Sequence, residues 1–318
     1  MMDYGHKYAD EKLKALEKKL KKEYSKAASE AYSKARSYLD GFSANDKILK
    51  EKVAKGEMAK SDWQKWRKET LSMGEHWEDM TKALNENFIN ANKIAAEMIN
   101  DTTIDAFAEN FNYGTYEVER LSIMDTSFTL YDKTAVKRLL LDEPNLLPTK
   151  SLEKKLTSKK MIRWQTRKYR SVITQAIIQG DSIPTIAERL GKETAQSNLN
   201  MATRDARTMM TSAQNGGRLA SYQRAKEKGI TMMKQWIATN DNRTRHTHLE
   251  MNGETRELEE EFSNELQYPG DESGDPEEVY NCRCTMVGEL GGIDYTSSDL
   301  TPDSSLSSIS YEDWKNGR

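Results

Sequence analysis

Between residues 7 and 36, Leu13, Leu16, Leu20, Tyr24, Ala27 and Ala31 recur at spacings of three and four. An α-helix returns a side chain to the same face at that interval, so these residues form one apolar stripe. Lys18, Lys19, Lys21 and Lys22 take the remaining faces. A helix this long with so narrow a stripe packs along one seam and shows its other faces to water or to a partner. Two readings of its lysines follow: a solvated surface, or a basic arm touching DNA or a protein partner. Of the 318 residues, 36% are hydrophobic and 31% charged, which suits long amphipathic helices better than one compact core. The length holds two domains, or one with a helical extension.

The same logic carries along the chain. Gly41 and the Ser43–Asp46 stretch read as a break and a fresh helix cap. A second helical region then runs to about residue 110, interrupted near Gly74. Trp63, Trp66 and Trp77 lie at helical separations within it and read as packing anchors; His76 has no neighbouring ligand type. Residues 111–132 mix Gly114 with Tyr, Thr and Phe and predict a loop or short hairpin. A short helix follows at Val136–Leu141, and Pro144 and Pro148 break it and mark a domain boundary. Residues 151–179 predict a helix closed by Gly180. Ser182 and Pro184 then start one that ends at Gly191, and another covers about 194–228.

Net charge is only -3, but its distribution is uneven. Residues 150–230 are basic and residues 249–318 acidic, which predicts either docking of the two halves or separate surfaces for different partners. Apolar runs long enough to cross a bilayer are absent, as is the apolar core of a signal peptide at the start, so the expected compartment is a cytoplasm. Both cysteines, Cys282 and Cys284, are separated by one residue, an awkward geometry for a mutual disulfide.

Chemistry-bearing residues concentrate in one stretch. It begins Trp236, Asp241, Arg243, Arg245, His246, His248, continues through Gly253 and Pro269-Gly270, and closes on Asn281-Cys282-Arg283-Cys284. The run 231–238 predicts a strand, Asp241 a turn that caps a short helix through Leu249, and 284–287 a returning strand. Three chemistries compete here. His248, Cys282 and Cys284, with His246 or Asp241 as a fourth ligand, suit tetrahedral zinc, although free cysteines are also common as small buried side chains. Asp241 paired with Arg243 or Arg245, together with Asn281 and Arg283, suits a polar brace that locks a core-poor module. Alternatively, the His/Cys cluster serves a metal-dependent nuclease or other DNA-processing enzyme. Phosphate-binding glycine loops are absent.

The order and spacing of these residues resemble the phage Mu protein F-like family of minor head (head morphogenesis) proteins. The resemblance is sharp over about 195–290 and looser upstream, where Gln179–Ile183 suits a family helix–turn–helix; residues 1–150 carry no matching motif. It implies a non-enzymatic capsid component of few copies that works with the portal protein and other capsid or scaffold proteins. It also implies a place in the capsid interior of the virion, in the host cytoplasm during assembly; non-specific contact with packaged DNA is read instead from the basic 150–230 layer, whose other reading is a solvated surface or one matched to the acidic C-terminal part. The tail after residue 291 is shorter than a fused C-terminal toxin requires. The expected fold is mainly α with a small α+β C-terminal domain. Its expected parts are a long helical N-terminal region (1–147), a basic helical subdomain (148–230), the Mu F-like α+β module (231–290) and a flexible acidic tail (291–318).

Overall fold

The computed structural model describes residues 3–142, 147, 149–295 and 300–318. In chain order they form α1 (Tyr4–Leu39), α2 (Ser43–Ala54), α3 (Lys60–Ser72), α4 (Gly74–Ser122), β1 (Met124–Asp125), α5 (Lys133–Asp142), α6 (Thr149–Leu156), α7 (Lys159–Gln179) and α8 (Ile183–Glu227). Then come β2 (Ile230–Ile237), α9 (His246–Glu250), β3 (Thr255–Glu257), α10 (Pro276–Val279), β4 (Thr285–Ile293), β5 (Thr301–Pro302) and α11 (Tyr311–Asn316). The architecture is mainly α, with small antiparallel sheets. The stripe on α1 is buried, with Leu16, Leu20, Tyr24, Ala27 and Ala31 at most 2% exposed.

Two glycines behave differently from the prediction, for one reason. Residues 111–122 are the end of α4 rather than a loop or hairpin. Gly114 lies where α8 comes so close that a Cβ would meet Ser221 Oγ at 2.1 Å and Arg218 Cα at 3.3 Å. Gly191 likewise fails to end a helix, and α8 runs straight through it. A Cβ there would sit 2.5 Å from the Ala28 carbonyl oxygen. Both glycines mark close backbone approach, not turns. Gly180 does stop α7, at φ +74°, and Ser158 starts that helix by accepting a hydrogen bond from the Met161 amide at 3.1 Å. Most of the Pro144–Pro148 break lies outside the described residues.

The chain forms two compact units, each gathered from separated segments: 1–17, 99–149 and 204–318 in one, 18–98 and 150–203 in the other. These units do not follow the boundaries predicted at 147, 230 and 290. The reason is physical: α1, α4 and α8 each contribute residues to both units, so the helices carry no break where the unit changes.

In the unit made of 18–98 and 150–203, helices pack through small and aromatic residues such as Ala27, Ala31, Phe88, Ala95, Tyr169 and Ala176. Some of the buried polar atoms there form a connected chain. The Tyr24 hydroxyl donates to Asn92 Oδ1 at 2.7 Å, and Asn92 Nδ2 donates to the Leu156 carbonyl at 2.9 Å. Trp63 and Trp77 are 4% and 6% exposed, which makes them packing anchors. Trp63 Nε1 also donates to Asp46 at 2.9 Å, beside the fully buried Arg67 at 3.1 Å.

The other unit holds a three-stranded antiparallel sheet of order β3-β2-β4. β2 alternates as predicted, with Ile230, Met232, Lys234 and Trp236 turned inward. Burial pushes Lys234 down to about 8, but its ammonium keeps three acceptors: the Leu258 carbonyl, the Gln267 carbonyl and Gln267 Oε1. Gly291 and Gly292 belong to β4, with Gly292 opposite Thr231 and Gly291 at a register shift, so the strand is longer than the predicted 284–287.

Residues 300–318 are packed and do not form a flexible tail. β5 pairs with β1, and Tyr311 and Trp314 are buried with Tyr113 and Leu306. Trp314 Nε1 donates to Glu119 Oε2 at 2.7 Å. Two aromatic side chains separated by one helical turn give this acidic segment enough apolar area to dock.

Candidate functional site

β2 ends at Ile237, and the chain then turns through Asp241. Asp241 does not cap the following helix. The residue before α9 is Arg245, which makes no side-chain cap. Asp241 instead accepts two parallel hydrogen bonds from Arg283, Nη1 to Oδ2 at 2.5 Å and Nη2 to Oδ1 at 2.7 Å. It also accepts from the Arg243 amide at 2.9 Å and from the Thr244 hydroxyl. These donors, Arg283 first, hold its carboxyl far below the usual carboxylate range. The partner of Asp241 in the brace is therefore Arg283. Arg243 is largely exposed and only 3.7 Å from Asp241, while Arg245 donates to the Tyr280 carbonyl.

The second segment is shaped by backbone geometry. Asn281 takes the left-handed region at φ +56°, a conformation asparagine tolerates, and its backbone N–H donates to Thr208 Oγ1 at 3.2 Å. Thus Asn281 contributes its main chain rather than its side-chain amide. Alternation along 282–284 turns Cys282 and Cys284 inward, each 2% exposed, and leaves Arg283 partly exposed at the fork with Asp241. Gly253, at φ +86°, donates its N–H to the Trp236 carbonyl at 2.8 Å and closes the return toward β3.

The two segments meet around His248. Its Nδ1 lies 3.6 Å from Cys282 Sγ and 3.4 Å from Cys284 Sγ, although the cysteines are 34 and 36 residues away in sequence. Its Nε2 lies 2.8 Å from Glu278 Oε2. Ligand-type atoms of His248, Cys282 and Cys284 all fall within 4.8 Å of one another, and all three residues are buried. Trp236 packs edge-on to the His248 ring at 5.1 Å, and Met251, Phe262, Leu266 and Val279 complete the apolar surround. The thiols differ sharply: hydrogen bonding from Cys282, aided by His248, pulls Cys284 down, whereas sharing with Cys284 and burial push Cys282 up. His246 is not part of the cluster. It is 85% exposed and faces Glu250 at 3.3 Å. Asp241 is likewise committed to Arg283 and does not join the group.

What holds the second segment in place is a face of α8 whose uncharged polar residues the sequence did not single out. The Thr211 hydroxyl donates to the Cys282 carbonyl at 2.6 Å, and Gln214 Nε2 donates to Thr285 Oγ1 at 2.6 Å. Asn215 Nδ2 donates to the Pro269 carbonyl at 2.9 Å and the Cys284 carbonyl at 3.2 Å, while its Oδ1 accepts from the Met286 amide at 3.0 Å. Arg218, fully buried, donates to the Met286 carbonyl at 2.6 Å and to Asp3 at 2.9 Å. Gly270, at φ +85°, lies where a Cβ would fall 2.9 Å from the Ser212 amide nitrogen, so only glycine fits. The visible signal is the three- and four-residue spacing of the polar residues 208, 211, 215 and 218 along one face of the helix. Glu278, equally unassigned, sits on α10 behind the capping residue Asp275.

Residues 167–287 match the family described as Phage Mu protein F like protein. The chain is 31% identical over 173 residues to NAD(+)--arginine ADP-ribosyltransferase EFV of Enterococcus faecalis, covering 50% of this chain and 34% of that protein. It is 26% identical over 203 residues to minor head protein GP7 of Bacillus phage SPP1, covering 63% of this chain and 64% of that protein. The chain thus spans less than two thirds of the length of either relative. No solved structure matches it.

Proposed function

With residues 167–287 this chain belongs to the phage Mu protein F-like minor head family, and from that premise we propose that it is a structural head component acting at the portal and the procapsid interior. The observation that carries the reading is the similarity to a protein named minor head protein, which covers 203 residues and so extends beyond the 167–287 match. The role is architectural and not enzymatic. His248, Cys282 and Cys284 are at most 2% exposed, which suits a structural cluster better than a nuclease centre that a DNA backbone has to reach. The transferase activity named for the other relative is that protein's, and this chain spans 34% of its length.

Contact with packaged DNA is assigned to α7. That helix carries Lys159, Lys160, Arg163, Arg167, Lys168 and Arg170 and no acidic residue. Lys168 pairs with Glu193 and Arg170 covers Trp77, while Lys159, Lys160, Arg163 and Arg167 are exposed. Lysines in the first turn oppose the helix dipole, so their presence there gains nothing for the isolated helix and suits an anionic partner. During assembly the protein resides in the host cytoplasm, and afterwards inside the virion. Co-expression with the portal protein of the same phage, followed by affinity purification of the portal, tests the role. A stable complex is expected, and a portal that emerges without this chain would overturn the assignment.

A further inference from the structure

We propose that His248, Cys282 and Cys284 bind one zinc ion that staples residues 249–281 into place. Ligand chemistry and geometry both support this. Zinc–sulfur and zinc–nitrogen bonds of about 2.3 and 2.05 Å at tetrahedral angles put the sulfur and nitrogen atoms about 3.6 Å apart. The Nδ1 to Sγ distances here are 3.6 and 3.4 Å. The histidine is also oriented for the task. Glu278 accepts from Nε2 at 2.8 Å, which leaves the Nδ1 lone pair facing the two sulfurs. A carboxylate behind a histidine, itself behind a metal, is a recurrent arrangement that fixes tautomer and ring direction.

Charge balance agrees. Two thiolates, one neutral imidazole and a divalent cation sum to zero, which suits the apolar surround of Trp236, Phe262, Leu266 and Val279. Both thiol protons leave to solvent on binding. No fourth His, Cys, Asp or Glu among the described residues joins the group, so water takes the fourth position. Cys282 borders a groove of about 500 Å³, also lined by His6, Thr211, Thr239, Asn281 and Arg283, which gives the ion and that water a way in.

The staple has a clear physical purpose. Between α9 and Cys282 the only regular elements are β3, of three residues, and α10, of four. A loop this long gains little from secondary structure, and a metal bridging its two ends removes much of its freedom.

The test uses the full-length chain and is independent of the head-protein role. Elemental analysis of purified protein is expected to give one zinc per chain. Cobalt(II) in place of zinc is expected to show thiolate-to-cobalt charge-transfer absorption and the visible bands of a tetrahedral site. Cys284→Ser and His248→Ala are expected to lose that spectrum, Glu278→Gln to weaken metal binding about 10- to 100-fold, and His246→Ala to leave it unchanged. Folded wild-type protein that takes up neither metal, or binds cobalt without a sulfur band, overturns the proposal. Because those two measurements need no variant, a variant that fails to fold does not blunt the test.

Discussion

Asp241 and Arg283, 42 residues apart, are joined by two parallel hydrogen bonds of 2.5 and 2.7 Å. The fork fixes the turn after β2 against the strand that returns beside it, and both cysteines flank its arginine. Arg283→Lys keeps the charge but loses the planar two-point geometry. Thermal melts are therefore expected to shift down. Asp241→Asn combined with Arg283→Met should be no worse than the more damaging single change, and strictly additive losses would mean the fork carries no coupling. The sign of the acid response follows from the lowered carboxyl. Its contribution is complete above the ordinary carboxylate range and is lost only as pH falls through the lowered value.

Asn215 satisfies three main-chain groups at once, the Pro269 and Cys284 carbonyls and the Met286 amide. Asn215→Leu leaves them buried without partners, at a cost of about 1–3 kcal/mol for each group left unpaired. Asn215→Asp keeps acceptance from Met286 but cannot donate, so its loss should be intermediate. Chemical denaturation curves measure both; equal stability of all three proteins would show the hub to be dispensable.

Arg218 lies among Asp3, Glu117 and Tyr222, and Tyr222 donates to Glu117 at 2.8 Å. Arg218→Met strands the buried Glu117 and the partly buried Asp3, and a loss of about 3–5 kcal/mol is expected at neutral pH. Burial raises Asp3, but Arg218 overrides it and the net shift is downward. That contribution is full above the ordinary carboxylate range and falls away in acid. Burial pushes Glu117 up, so its ionisation costs stability as pH rises from its ordinary value. Removing the guanidinium leaves both carboxyls in the second situation. The deficit of the variant should therefore be largest at neutral pH and shrink on acidification, as followed by denaturation at several pH values. A deficit independent of pH would contradict this assignment.

Trp314 anchors the end of the chain. Trp314→Ala removes a 3%-exposed indole and the bond to Glu119, and a loss of about 3–5 kcal/mol is expected. Limited proteolysis should leave residues 300–318 attached in the wild type and release them in the variant. Rapid cleavage of the wild type in that region would contradict the packed tail.

If α7 meets DNA through phosphates, changing Lys159, Lys160, Arg163 and Arg167 to Gln should weaken binding equally across sequences. The slope of log affinity against log salt should flatten by about 0.9 for each duplex phosphate that α7 no longer neutralises. Unchanged binding and slope would remove α7 from the interface.

The sequence made the helices legible because the apolar stripe of α1 and the capping residues around α7 obey local rules. It made the meeting of His248 with Cys282 and Cys284 legible as chemistry, since those residue types together favour a soft cation. Gly114 and Gly191 misled because a glycine that admits a neighbouring helix looks, in one dimension, like a glycine that ends one. The division into units was hidden for a related reason: segments such as 1–17 and 204–318 share a unit through tertiary packing that no local pattern encodes. Asn215 and Glu278 stayed silent because their importance lies in the backbone carbonyl and the imidazole nitrogen they face. The pairing of Asp241 followed suit, since Arg243 and Arg245 are nearer in sequence but Arg283 is nearer in space.

Mass spectrometry of procapsids and virions purified from cells in which this chain is made during phage assembly tests its proposed assignment as a head component most directly. The account predicts its peptides in both particles, in far fewer copies than the major capsid protein. Their absence from both would contradict it.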